Sequence, residues 1–343
     1  MSSIGVARHV GSRHEAPGPP GTDRPRRIRS AKDGEDRAFR AVMTLAGSAV
    51  LLVMGLIGIF LAFRASQALR RAGVSFFTTQ VWTGEKFGVA AVLPMTVIIA
   101  LTAMAVTLPL SVGLALFISE YSPARVRRGL TTLVDLMAAV PSVVYGLWGA
   151  LFLGEQVTHV ARFLSDHVGW FPLFEVRGVD HSAVPFSLAE YGTSSFLAGV
   201  VVAMMVIPIA TSIMREAFSQ APAGEREGAY ALGSTRWGMV RSVVLPFGRG
   251  AVIGGLMLGL GRALGETIAV VLVISPVFVV KARILESGSN SIAALIALRY
   301  GEASGIGLSA LMAAGLVLFA MTLLVNLAAA EIVRRSRSGA QTD

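Results

Sequence analysis

Six long stretches of this 343-residue chain carry almost no charge: 41–63, 88–119, 129–154, 191–214, 250–280 and 303–330. A bilayer's hydrocarbon core is about 30 Å thick, and about 20 apolar residues of helix cross it. None of the stretches alternates polar and apolar residues as a membrane barrel strand does, so the expected fold is an all-α membrane protein with six transmembrane helices. Composition agrees, since 54% hydrophobic residues and a mean hydropathy of +0.66 exclude an ordinary soluble domain.

Orientation follows from the basic residues. Nine Lys and Arg precede the first stretch, up to Arg40; three lie in 120–128, five in 215–249 and three after residue 330, against nine in 64–87, 155–190 and 281–302 together. Positive charge is retained in the cytoplasm, so both termini and the 215–249 loop are expected there. The net charge of +9 is thereby a topology signal. It does not point to nucleic acid, because the basic residues are mostly Arg, spread over several segments without interleaved aromatics.

Residues 1–39, with APGPPG and no apolar periodicity, read as a disordered basic cytoplasmic tail; 40–334 form one membrane domain and 335–343 a C-terminal tail. The first apolar stretch begins too late and runs too long for a cleavable signal. Loop 155–190 is the largest external excursion, with Trp170, Phe171 and Phe174 suited to the interface, and the short apolar run 292–298 is expected to be re-entrant or to lie along the surface. Pro94, Pro109, Pro141, Pro208 and Pro276 fall in the spans and are expected to kink them.

Enzymatic chemistry has no visible residues. The chain has no Cys, no G-x-x-x-x-G-K-[ST] run around Lys32, Lys86 or Lys281, and no ligand spacing among His9, His14, His159, His167 and His181. No metal, cofactor or catalytic group is expected on this chain.

Two features point to transport. Arg262 and Glu266 are charges within an otherwise uncharged span, where each costs about 2.5–3.5 kcal/mol unless it faces a cavity, the bundle interior or a partner. Four-residue spacing would place both on one helix face. Either they form a salt bridge that fixes packing, or the Arg fork contacts a tetrahedral oxyanion while Glu266 holds and releases it. Thr267, Ser142 and Tyr145 could add neutral hydrogen bonds. Asp135, in the third stretch, is expected to pair with a basic residue or to sit in interfacial water.

The second feature is the cytoplasmic loop 215–249. Glu227, Gly228, Ala229 and Ala231 suit a short helix broken at Gly233; Ser234 or Thr235 can cap a second one through Trp237 and Met239, with Pro246 ending the unit. Such a helix–turn–helix suits a groove on another protein.

The spacing Glu227-Gly228-Ala229, three residues, Gly233, nine residues, Val243, one residue, Leu245-Pro246 resembles the EAA motif of ABC-importer permeases, with Gly228 for the middle Ala and Val243 for Ile. LMAAVPSVVYGLWG (136–149), IPIATSIMREAF (207–218) and GLGRALGETIAV (259–270) extend the resemblance to the phosphate-specific (Pst) permeases, nearer the PstC type than the PstA type. The resemblance implies a type I ABC importer permease (MetI-like) bundle. It implies a coupling helix at Glu227, Gly228, Ala229 and Gly233, with Arg236 and Trp237 as further contacts to the ATPase. It implies a PstA-type permease partner, two copies of an ATP-binding subunit that hold ATP and Mg, and an extracytoplasmic phosphate-binding protein. It also implies that Arg262 and Glu266 serve phosphate passage. The rivals are import of molybdate, sulfate or phosphonate, an ATP-independent secondary carrier, and a membrane-embedded enzyme.

Overall fold

A computed structural model describes residues 34–83, 86–176 and 191–338. The described residues are mostly helical, with one pair of short antiparallel strands, Trp82–Thr83 and Lys86–Phe87, and irregular connections. Contacts divide the chain into Met1–Val53 and Met54–Asp343. Most of the expected tail lies outside the described residues, but its last part does not: helix α1, Gly34–Ala72, begins before residue 40 and also absorbs much of the expected 64–87 loop. The likewise helical last stretch runs to Ser338, past the expected boundary at 334. Arg and Glu continue both helices because they are good helix formers, and outside lipid their charge costs nothing.

Among the described residues five helices are long and apolar enough to cross a membrane, six if a helix pair bent by 91° counts as one span. After α1 come the short α2, Ser75–Thr78, then α3, Val92–Leu116, extended by a π-helical turn, Phe117–Tyr121. The expected third span is not one helix. It is α4, Ala124–Ala138, and α5, Ser142–Trp148, which continues through a π turn into α6, Gly154–Val168. Pro141 is the cause, since its ring excludes the residue before it from helical geometry. One carbonyl before the break, that of Met137, is satisfied by the Tyr145 hydroxyl at 2.8 Å.

The fourth span, α7, Ser195–Ser219, starts at Ser194, whose side chain accepts the Leu197 N–H, and carries Pro208 inside it. It pairs with α3 through small residues: a Cβ on Gly199 would lie 2.7 Å from Thr102. Close backbone approach of this kind is how helices associate where lipid offers no hydrophobic contrast. Asp135 of α4 has no ion pair among the described residues; it accepts a hydrogen bond from Ser212 of α7 at 2.8 Å.

The short helices α8, Ala223–Ala231, and α9, Arg236–Met239, follow. Pro246 does not end this unit. It lies inside a 30-residue helical path from Arg236 to Gly265, at the start of α10, Leu245–Gly265, directly after a π-helical turn, Val240–Val244, whose wider pitch accommodates a residue without an N–H.

The fifth stretch stops short of its expected length. α10 ends at Gly265, α11 spans only Ile268–Val273, and the chain is then irregular until α12, Ile292–Arg299, and α13, Gly305–Ser338. The apolar run 292–298 is therefore a helix, and its first half is buried rather than lying on the surface. Ser291 caps it, Thr96 of α3 accepts the Ile292 N–H at 3.0 Å, and Ser289 pairs with Ser195 at 2.7 Å. Outside, Lys281 and Arg283 bracket Glu286 at 2.7 and 2.8 Å, and Arg283 reaches Glu175 at 3.6 Å.

Candidate functional site

Glu266 ends α10 in an extended conformation, with φ −67° and ψ 126°. The cause is local: Gly265 is a weak helix former, and the carboxylate competes for backbone donors. Oε1 of Glu266 accepts the Ala269 N–H at 3.2 Å, so the side chain caps the next short helix instead of facing Arg262. The expectation of one shared face fails for this reason, and among the described residues no salt bridge joins the two.

Arg262 is exposed, one residue before the buried Ala263 and Leu264. Among the described residues it makes no hydrogen bond or ion pair. Glu266 is buried, and Thr267 is partly buried with its hydroxyl on the Gly265 carbonyl at 3.1 Å.

Ser142 and Tyr145 come to the same place by another route. Pro141 breaks the helix before α5, and α5 packs on α11 so closely that a Cβ on Gly146 would lie 2.8 Å from the Ala269 Cα. Arg262 is near enough to Tyr145 to act on it electrostatically. Tyr145 is buried, its proton committed to Met137; Ser142 is partly buried in the first turn of α5. Two interrupted helices thus meet beside an unpaired guanidinium. Irregular backbone at membrane depth persists only inside protein or beside a water-filled cavity.

The second site is the segment between α7 and α10. Gly233 separates α8 from α9 with φ +82°, a left-handed conformation that glycine adopts without strain, and Thr235 Oγ1 accepts the Gly238 N–H at 3.1 Å. Glu227 and Gly228 are exposed, whereas Ala229 packs inward against a cluster containing Met214, Phe218, Met239, Val240 and Val244. A Cβ on Gly228 would meet nothing within 4 Å, so its departure from Ala leaves the surface unobstructed. Trp237 is exposed, and Arg236, also exposed, lies 5.4 Å over the ring of Tyr121. Leu232 at 89% exposure and Tyr230 at 45% complete an apolar ridge. Sequence reading missed both, although an apolar residue just before a breaking glycine is a usable sign of an outward-facing tip.

Interrupted apolar helices, an exposed Arg262 without an ion pair among the described residues and an exposed helical hook together suit a permease subunit of a multi-pass membrane protein. Residues 108–338 match the family of binding-protein-dependent transport system inner membrane components. The chain is 41% identical over 311 residues to the phosphate transport system permease protein PstC 2 of Mycobacterium tuberculosis, covering 89% of this chain and 93% of the relative. It is 40% identical over 293 residues to the PstC protein of Xylella fastidiosa, covering 84% and 88%. A chain of a bacterial ABC transporter that imports the acidic polysaccharide alginate shares the fold, with a TM-score of 0.57, 18% identity and 88% and 96% coverage. The chain belongs to the family of binding-protein-dependent transport system inner membrane components and, within it, to the PstC-type permeases.

Proposed function

We propose that this chain is one of two permease subunits of an ATP-driven importer of inorganic phosphate in a prokaryotic plasma membrane, with both termini in the cytoplasm. Its partners are a PstA-type permease, two copies of an ATP-binding subunit carrying ATP and Mg, and an extracytoplasmic phosphate-binding protein. The chain itself holds no cofactor and catalyses no reaction.

The observation that carries the substrate reading is Arg262, a charged fork within an apolar span with no partner among the described residues. Such a group needs a water-filled path or a ligand. A tetrahedral oxyanion supplies both the charge and the paired acceptors that the fork fits. Ser142, Tyr145 and Thr267 line the same junction. Glu266, held on a backbone N–H, stays out of the anion's way until the junction rearranges.

The coupling side rests on Glu227, Gly228, Ala229, Gly233, Arg236 and Trp237. From Arg236 the helical path continues to Gly265, roughly 45 Å at 1.5 Å per residue, so one end meets the ATPase and the other carries Arg262. ATP binding that favours one arrangement of the hook shifts the whole lever between outward and inward access.

The deciding experiment is ATP-dependent uptake of radiolabelled phosphate into proteoliposomes containing the four-component complex, with sulfate and molybdate as competitors. Uptake is expected to ignore both competitors and to fall at least a hundredfold in Arg262→Gln while the complex still assembles. Competition by sulfate or molybdate would reassign the substrate, and full uptake by the variant would make Arg262 structural.

A further inference from the structure

The π turn at the cytoplasmic end of α3 contains a carboxylate that neither lipid nor solvent explains. Glu120 has a side chain 4% exposed, and its Oε2 accepts a hydrogen bond from Arg226 Nη1 at 3.0 Å. Among the described residues its Oε1 has no hydrogen-bond partner, and its charge is balanced by Arg226. Arg226 belongs to α8, in sequence 106 residues away. The same guanidinium donates from Nε to the Ala221 carbonyl at 3.1 Å and from Nη2 to the Phe218 carbonyl, at the end of α7. One side chain therefore ties three elements together: the hook, the fourth span and the second span. Beside it, Arg236 lies over Tyr121 of the same π turn.

A hook that moves must pull on the spans. The covalent routes run through α7 on one side and through the helix from Arg236 on the other. α3 has no such route, being separated from α8 by the whole of 122–222. π turns also recur at functional positions, where a wider turn can change pitch at low cost.

We propose that Glu120 is a positioning residue for transport, the point at which α3 receives the displacement of the coupling hook through Arg226, so that the phosphate moved per ATP hydrolysed depends on this ion pair. The inference rests on the reading of 223–239 as the ATPase-binding hook. Glu120 is suited to isolate the link, because replacing it leaves both carbonyl bonds of Arg226, and hence the seat of α8 on α7, in place.

The test measures phosphate uptake and ATP hydrolysis in the same proteoliposomes, for wild type, Glu120→Gln, Arg226→Lys and the double variant. In Glu120→Gln the ATPase subunit stays bound at wild-type stoichiometry and hydrolysis continues within about twofold, while phosphate per ATP falls at least fivefold. Arg226→Lys added to Glu120→Gln lowers the ratio little further, because both act on one joint. An unchanged ratio in Glu120→Gln, a proportional fall of uptake and hydrolysis, or additive losses in the double variant would overturn the proposal. Should Glu120→Gln fail to assemble, Glu120→Asp decides, since it keeps the charge on a shorter arm: a lowered ratio supports the joint, and an unchanged ratio or a second failure to assemble rejects it. The wild-type arm tests the parent reading separately. Transport of another anion would move the substrate and leave the ratio measurable, whereas no ATPase capture by wild type would reject both.

Discussion

An arginine on the outer face of a helix inside lipid survives only with water, a ligand or another subunit beside it. Arg262 makes no ion pair among the described residues, and its chemistry is specific: Arg262→Lys keeps the charge but loses the fork, and is expected to retain some uptake with a KM raised about tenfold or more, measured beside the inactive Arg262→Gln. Gly228 makes the opposite case. It is exposed, helical and unobstructed, so Gly228→Ala should stabilise the hook by about 1 kcal/mol, seen as a higher unfolding temperature with unchanged ATPase binding. Glu227→Arg instead reverses a charge on the exposed face and should abolish capture of the ATPase subunit in a pull-down while the chain still folds.

At the scale of elements, the substrate junction exists because two helices break and then pack. Gly146→Val would drive a side chain into the Ala269 backbone, which cannot yield as a side-chain tip would. Overpacking of this kind costs about 1–3 kcal/mol, and the expected result is a lower unfolding temperature together with loss of uptake, because α5 and α11 separate where Arg262 sits. The external segment before α12 has its own pH dependence. Burial raises the Glu286 carboxyl, but Lys281 and Arg283 more than offset this and hold it below the ordinary carboxylate range. Its pairing therefore stabilises the segment above the unfolded pKa, and that contribution is lost as pH falls through the lowered folded value. Limited proteolysis of 281–291 should stay slow down to about pH 4 and accelerate below it, and Glu286→Gln should remove this dependence.

For the whole molecule, the distribution of Lys and Arg places the hook in the cytoplasm, and the absence of native Cys makes this directly testable. A membrane-impermeant maleimide applied to intact cells should label Glu302→Cys and leave Gly224→Cys unlabelled until the membrane is opened. The long apolar stretches, the helix breaker at Gly233 and the Thr235 cap were legible in the chain because each depends on neighbouring residues and on lipid as solvent. The spacing of Glu227 to Pro246 marked the hook, and the identities of Arg262 and Glu266 marked a charge where charge is costly. What the chain could not reveal is where the helices stop. Within the fifth stretch, apolarity says only that residues prefer lipid or protein to water, which a helix, a capped break and a buried loop satisfy equally. Tertiary structure decided that Glu266 caps α11, that Tyr145 repairs the gap at Pro141, and that Glu120 meets Arg226. Those partners lie far apart in sequence or across a break, and only the packed bundle brings their polar groups within hydrogen-bonding distance.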